Sequence, residues 1–203
     1  MNTSCSCRQP PVLAIGASTG GPSAVAELLS GLPRDLQAAV LVAQHLDQAF
    51  SGNLAELLAQ QSALPVAVAS DGDRLLPGRV LLARGGDHLV LSPVSTLRYT
   101  QDPLATPYRP SVDALFLSLA DSRLCPGVAV LLTGMGSDGA KGLLALRSAG
   151  WLTIAQDQET SAVYGMPKAA RELGAAEMVL PLNSIAALAA KHLRNRHARS
   201  RTC

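Results

Sequence analysis

Three short runs, Pro11–Gly16 (PVLAIG), Ala38–Ala43 (AAVLVA) and Gly127–Thr133 (GVAVLLT), carry no charged residue and no alternation of apolar with polar side chains. Strands of this kind need cover on both faces, which is the situation of a parallel sheet between two helical layers. Segments of helical period follow them: one from about Pro22 to Ser30, one carrying Leu54, Leu57 and Leu58, and one ending near Gly150. The alternation predicts an α/β fold, a doubly wound, mostly parallel sheet with helices on both faces. Aromatic residues are only 3% of the chain against 48% hydrophobic, so Ala, Val, Leu and Ile must fill the core.

The middle of the chain breaks this rhythm. Val66–Ala69, Arg79–Ala83 and Leu89–Ser92 read as short strands divided by the turn signals Asp71-Gly72, Pro77-Gly78 and Gly85-Gly86-Asp87. That pattern predicts a hairpin-rich antiparallel insertion. The α/β rhythm resumes with a helix from about Ser111 to Asp121 behind Pro110, strands at Leu152–Ala155 and Met178–Leu180, and a helix from Asn183. The expected organisation is a flexible segment 1–10, one catalytic domain 11–193 and a basic tail 194–203.

Charge and cysteine usage narrow the function class. Five of the 17 basic residues lie in the last thirteen positions, leaving 12 against 15 acidic ones in the body. With few aromatic side chains to stack on bases, the body is not expected to bind nucleic acid. No apolar run approaches the roughly 18 residues of a membrane span, and the polar N-terminus lacks the apolar stretch of a secretory signal. Cys5, Cys7, Cys125 and Cys203 have no metal-site spacing. They read as free thiols in a reducing compartment, so a cytoplasmic protein is expected.

Three turns at strand ends carry the chemistry. Gly16-Ala17-Ser18-Thr19-Gly20 matches G-x-S-x-G between a strand and a helix, where a sharp turn lifts a serine hydroxyl out of the sheet. The helix N-terminus and backbone N–H groups there can stabilise a developing oxyanion. Gln44-His45 ends the second strand, and histidine is the side chain best matched to activating a serine hydroxyl; His88 is the rival base. Gly134-Met135-Gly136-Ser137-Asp138-Gly139 ends the Gly127–Thr133 strand, and Asp138 can orient an imidazole. The same six residues spell the dinucleotide pattern G-x-G-x-x-G, with Asp157 where a ribose-binding acid belongs. Against that use, Asp138 sets a negative charge where a pyrophosphate must sit. The order Ser18, His45, Asp138 also differs from the serine, acid, histidine order of ordinary lipases and esterases.

The stretches AIGASTGGPSAV (14–25), AQHL (43–46), RPSVDALF (109–116), VLLTGMGSDGAKGLLALRSAG (130–150) and TIAQDQETSAVYGMPKAA (153–170) resemble the catalytic domain of the bacterial chemotaxis protein-glutamate methylesterase, CheB. The resemblance implies hydrolysis of glutamate γ-methyl esters on methyl-accepting chemotaxis receptors, with release of methanol, and deamidation of receptor glutamines. It implies Ser18 as nucleophile, His45 as base and then acid, Asp138 as orienting acid, and backbone N–H groups near Thr19 and Met135 as oxyanion donors. No metal or organic cofactor is implied, and Met166 and Pro167 are expected to give structural support near the site.

Departures from the family pattern are specific. Members commonly carry an N-terminal receiver domain, whereas here the serine turn begins at Gly16, so a stand-alone catalytic domain is expected, either constitutive or regulated by a separate protein. Tyr108 stands where the family often has histidine, Leu46–Phe50 lacks the frequent Met-Pro-Pro-Gly, and Arg84 replaces a usual proline. Two other classes remain as alternatives: a non-catalytic module that binds receptors or signalling partners, and a dinucleotide-binding protein.

Overall fold

The computed structural model describes residues 9–104 and 106–201, with side chains to residue 196. Seven parallel strands form the main sheet: β1 (Val12–Ala17), β2 (Ala39–Gln44), β3 (Val66–Val68), β4 (Val80–Leu82), β7 (Val128–Leu131), β8 (Leu152–Gln156) and β9 (Met178–Leu180). Their spatial order is β3-β4-β2-β1-β7-β8-β9. A separate antiparallel pair joins β5 (His88–Leu91) to β6 (Leu97–Thr100). The helices are α1 (Gly21–Ser30), α2 (Ser51–Gln61), α3 (Val112–Ala120), α4 (Ala140–Ser148), α5 (Met166–Glu172) and α6 (Leu182–Arg201).

Alternate residues of each strand enter opposite layers, as the pleat requires. Leu13, Ile15, Val40, Val42, Val128, Val130 and Ile154 pack with α1, α2 and α6. Val12, Ala14, Leu41, Ala129, Leu131 and Ala155 face α3, α4, α5 and the β5–β6 hairpin. The uncharged runs of the sequence are thus the strands covered on both faces. From β1 the chain builds β2, β3 and β4 on one side and β7, β8 and β9 on the other. The crevice between the carboxyl ends of β1 and β7 is therefore the switch point at which such sheets bind ligands.

Three details differ from the sequence expectation. Of the three short middle strands, only Leu89–Ser92 belongs to the hairpin, paired with a strand at 97–100 that the sequence pattern does not predict. The other two are the parallel strands β3 and β4, because β4 pairs with β2 and β3 with β4; turn residues mark where a strand stops but not which neighbour it finds. Helix α5 is likewise missing from the expected elements: it is short and opens on Met166-Pro167. Helix α6 continues to Arg201, past the start of the expected tail.

Cys125 is disulfide-bonded, so the expectation of a free thiol does not hold for it. Spacing along the chain does not reveal which sulfurs folding brings within bonding distance. Cys5, Cys7 and Cys203, and most of segment 1–10, lie outside the described residues. No helix among the described residues is long and apolar enough to cross a membrane.

Phe116, on α3, is fully buried between the sheet and its helical neighbours. Phe116→Ala is expected to cost about 3–5 kcal/mol through lost burial and the cavity left behind. Urea unfolding should show this as a lower midpoint with an unchanged m value.

Candidate active site

Ser18 stands in the turn from β1 to α1. Its N–H donates to the Thr133 carbonyl at 3.0 Å and its own carbonyl accepts from the Gly21 amide at 2.8 Å. Gly20 closes the turn with φ 77°, and a Cβ there would stand 2.6 Å from that of Ala162. This turn therefore requires glycine on both conformational and steric grounds. The His45 N–H donates to the Ala17 carbonyl at 3.1 Å, which carries the β1–β2 pairing past the strand ends and sets His45 beside Ser18. Gln44 is buried and donates to the Ser18 and His45 carbonyls, each at 2.9 Å.

The third turn supplies Asp138, which is buried. His45 Nε2 lies 2.6 Å from Asp138 Oδ2, and His45 Nδ1 lies 3.1 Å from Ser18 Oγ. A carboxylate can only accept, so Nε2 carries the proton and the lone pair of Nδ1 faces the serine hydroxyl. The carboxylate sits at the N-terminus of α3. There Ser111 Oγ donates to it at 2.9 Å, the Val112 amide at 2.7 Å and the Asp113 amide at 3.1 Å. Burial opposes ionisation of Asp138, but the bonds from His45 and from the Val112 and Asp113 amides outweigh it and hold the carboxyl below the usual range. Its neighbour Asp113 is pushed the other way, chiefly by burial, although it accepts from the Gly142 amide at 2.6 Å.

Around this chain of bonds three loops are tied together. Thr133 Oγ1 donates to the Thr19 carbonyl and accepts from the Val163 amide, each at 2.9 Å. The Gly134 carbonyl accepts from the Gly165 and Met166 amides at 3.1 and 2.8 Å. A Cβ on Gly134 would meet Met166 Sδ at 2.3 Å and Ser18 Cβ at 2.7 Å, so the two turns are in contact. Met166 is buried and lies against this turn. The Thr19 and Met135 amides donate to no acceptor among the described residues, and the Met135 side chain is exposed. Tyr108 lies flat on His45, with ring centroids 4.3 Å apart and planes 9° apart.

Ser18, His45 and Asp138 are therefore brought together, whereas His88 is fully buried and makes its hydrogen bond to the Ser111 amide. Asp157 accepts from Thr160 within its own turn. Arg84 lies over the Tyr99 ring at 4.0 Å and pairs with Asp87 at 3.2 Å. Ser111, Thr133 and the contacts of Gln44 do not stand out in the sequence. Ser111 carries one signal there, a serine cap behind Pro110, but its bond to Asp138 joins residues 27 apart.

A sequence model of the CheB methylesterase family matches residues 13–189. The chain belongs to this family. It is 56% identical over 176 residues to protein-glutamate methylesterase/protein-glutamine glutaminase 1 of Burkholderia lata, covering 87% of this chain and 53% of that protein. Protein-glutamate methylesterase/protein-glutamine glutaminase 4 of Burkholderia thailandensis is 54% identical over 177 residues, covering 87% of this chain and 52% of its own length. The chain spans about half the length of the curated relatives it matches. The crystal structure of the Thermotoga maritima CheB methylesterase catalytic domain superposes with a TM-score of 0.83 at 34% identity, covering 90% of this chain and 98% of that one.

The depressed Asp138 pKa makes its stabilising contribution full above the ordinary aspartate value, about 3.9, and lost as pH falls through the lower folded value. Asp138→Asn is therefore expected to flatten the fall in unfolding free energy below about pH 4. Urea titrations at a series of pH values check this.

Proposed function

We propose that this chain is a serine hydrolase that removes methyl groups from glutamate γ-methyl esters of chemoreceptors at the cytoplasmic side of the membrane. The observation that carries the reading is the continuous hydrogen-bonded path from Ser18 Oγ through the His45 ring to the Asp138 carboxylate. The family membership and the relatives' names supply the ester class.

Ser18 Oγ attacks the ester carbonyl as its proton passes to His45 Nδ1, and the Asp138 charge stabilises the imidazolium that forms. The Thr19 and Met135 amides have no competing acceptor among the described residues and serve as donors to the tetrahedral oxyanion. His45 returns the proton to the departing methoxide, methanol leaves, and an acyl-enzyme remains on Ser18. Water then gives its proton to His45, attacks the acyl carbon and regenerates the serine hydroxyl with a free glutamate. The same steps with ammonia as the leaving group convert a receptor glutamine to glutamate. No residue in this path calls for a metal or organic cofactor.

Methanol release from carboxyl-methylated receptor membranes tests the proposal. Ser18→Ala is expected to lower the rate by about 10⁴-fold or more while leaving the fold intact; near-full activity in that variant would overturn it. Tyr108 covers one face of the catalytic imidazole. Tyr108→Phe should keep kcat because a stacked ring remains, whereas Tyr108→Ala should lower kcat by about tenfold, since small losses of orientation at a base are costly.

A further inference from the structure

We propose that His88 is a positioning residue for this site: its imidazole fixes Ser111, and through Ser111 the carboxylate of Asp138. The proposal rests on the reading of Ser18, His45 and Asp138 as a triad. His88 opens β5, is fully buried, and its Nδ1 accepts from the Ser111 amide at 3.1 Å. Ser111 is the cap of α3: its Oγ accepts from the Ala114 amide at 3.2 Å and donates to Asp138. The next two amides, Val112 and Asp113, donate to the same carboxylate. One anchored residue thus sets three of the four hydrogen bonds that reach the Asp138 carboxylate from the described residues, the fourth being from His45.

The chemistry explains a histidine at this point. The Ser111 amide takes Nδ1 as its acceptor, and a neutral imidazole with its proton on Nε2 presents a lone pair there, leaving Nε2–H without a hydrogen-bond partner among the described residues. An imidazolium would turn an N–H against the Ser111 N–H and break the link. Burial favours the neutral form and lowers the pKa; the Arg109 charge acts in the same direction, against the nearby Pro103 carbonyl and the Asp138 and Asp87 carboxylates. Because α3 packs on β5, the antiparallel hairpin carries the acceptor that registers the α3 N-terminus against the acid of the triad.

Two variants separate this role from simple packing. Asparagine offers an acceptor near the position of Nδ1, and leucine offers none. His88→Asn should retain the downfield proton resonance of His45 Nε2–H bonded to Asp138, together with wild-type kcat. His88→Leu should shift that resonance upfield and lower kcat by about 10-fold to 10²-fold with KM unchanged. In an Asp138→Ala background, which removes both acceptor oxygens, His88→Leu should add no further loss, since the link it serves is already broken. A wild-type resonance and kcat in His88→Leu would overturn the proposal, as would equal damage in both variants. The resonance requires no substrate: if it responds as stated while the wild type releases no methanol, the substrate reading fails and the role of His88 stands.

Discussion

The carboxylate of Asp138 is a negative charge taken out of water, and the arrangement around it governs the site. Burial alone would drive such a group to the neutral acid, which would leave His45 without a partner to hold its tautomer or balance its positive charge. The N-terminus of α3 supplies the compensation, with two backbone amides and the Ser111 hydroxyl aimed at the two oxygens. The amides are among the groups that an α-helix leaves unpaired at its start, so the helix is completed by the carboxylate as much as the carboxylate is held by the helix.

The sheet gives the other two members their places. Parallel pairing of β1 with β2 continues through the His45 amide, and pairing of β1 with β7 continues through the Ser18 amide and the Thr133 carbonyl. Three adjacent strands therefore deliver their following turns to one edge, at the point where the winding reverses. Gly20 and Gly134 allow those turns to meet without side chains between them. The geometry is the reverse of the common serine-protease assignment, with Nδ1 toward the serine and Nε2 toward the acid. Both nitrogens can serve, since the proton bound by the carboxylate leaves the opposite lone pair free.

Much of this is legible in the sequence because it depends on local rules. Strands buried on both faces announce themselves as uncharged runs, and glycine clusters announce turns. A serine, a histidine and an aspartate at three strand ends of one parallel sheet must share an edge. The parallel placement of β3 and β4 is not legible, because turn residues such as Asp71-Gly72 do not encode a neighbour. His88 reads as a rival base, since a histidine at a strand start looks the same whether its ring reaches a serine or an amide. Ser111 looks like an ordinary cap. Its second bond, to Asp138, exists only because the α3 N-terminus meets the turn that follows β7.

The sequence by itself determined the α/β class, the three turns and the placing of a serine, a histidine and an aspartate at three strand ends, since hydrophobic period, glycine placement and side-chain chemistry are properties of short segments. The tertiary structure alone decided which ring nitrogen faces which partner, that Tyr108 lies flat on His45, that Cys125 is disulfide-bonded, and that His88 Nδ1 accepts from the Ser111 amide. Those outcomes depend on distances between residues far apart in the chain. Such distances are set by the packing of whole helices on a sheet and not by the residues that finally touch.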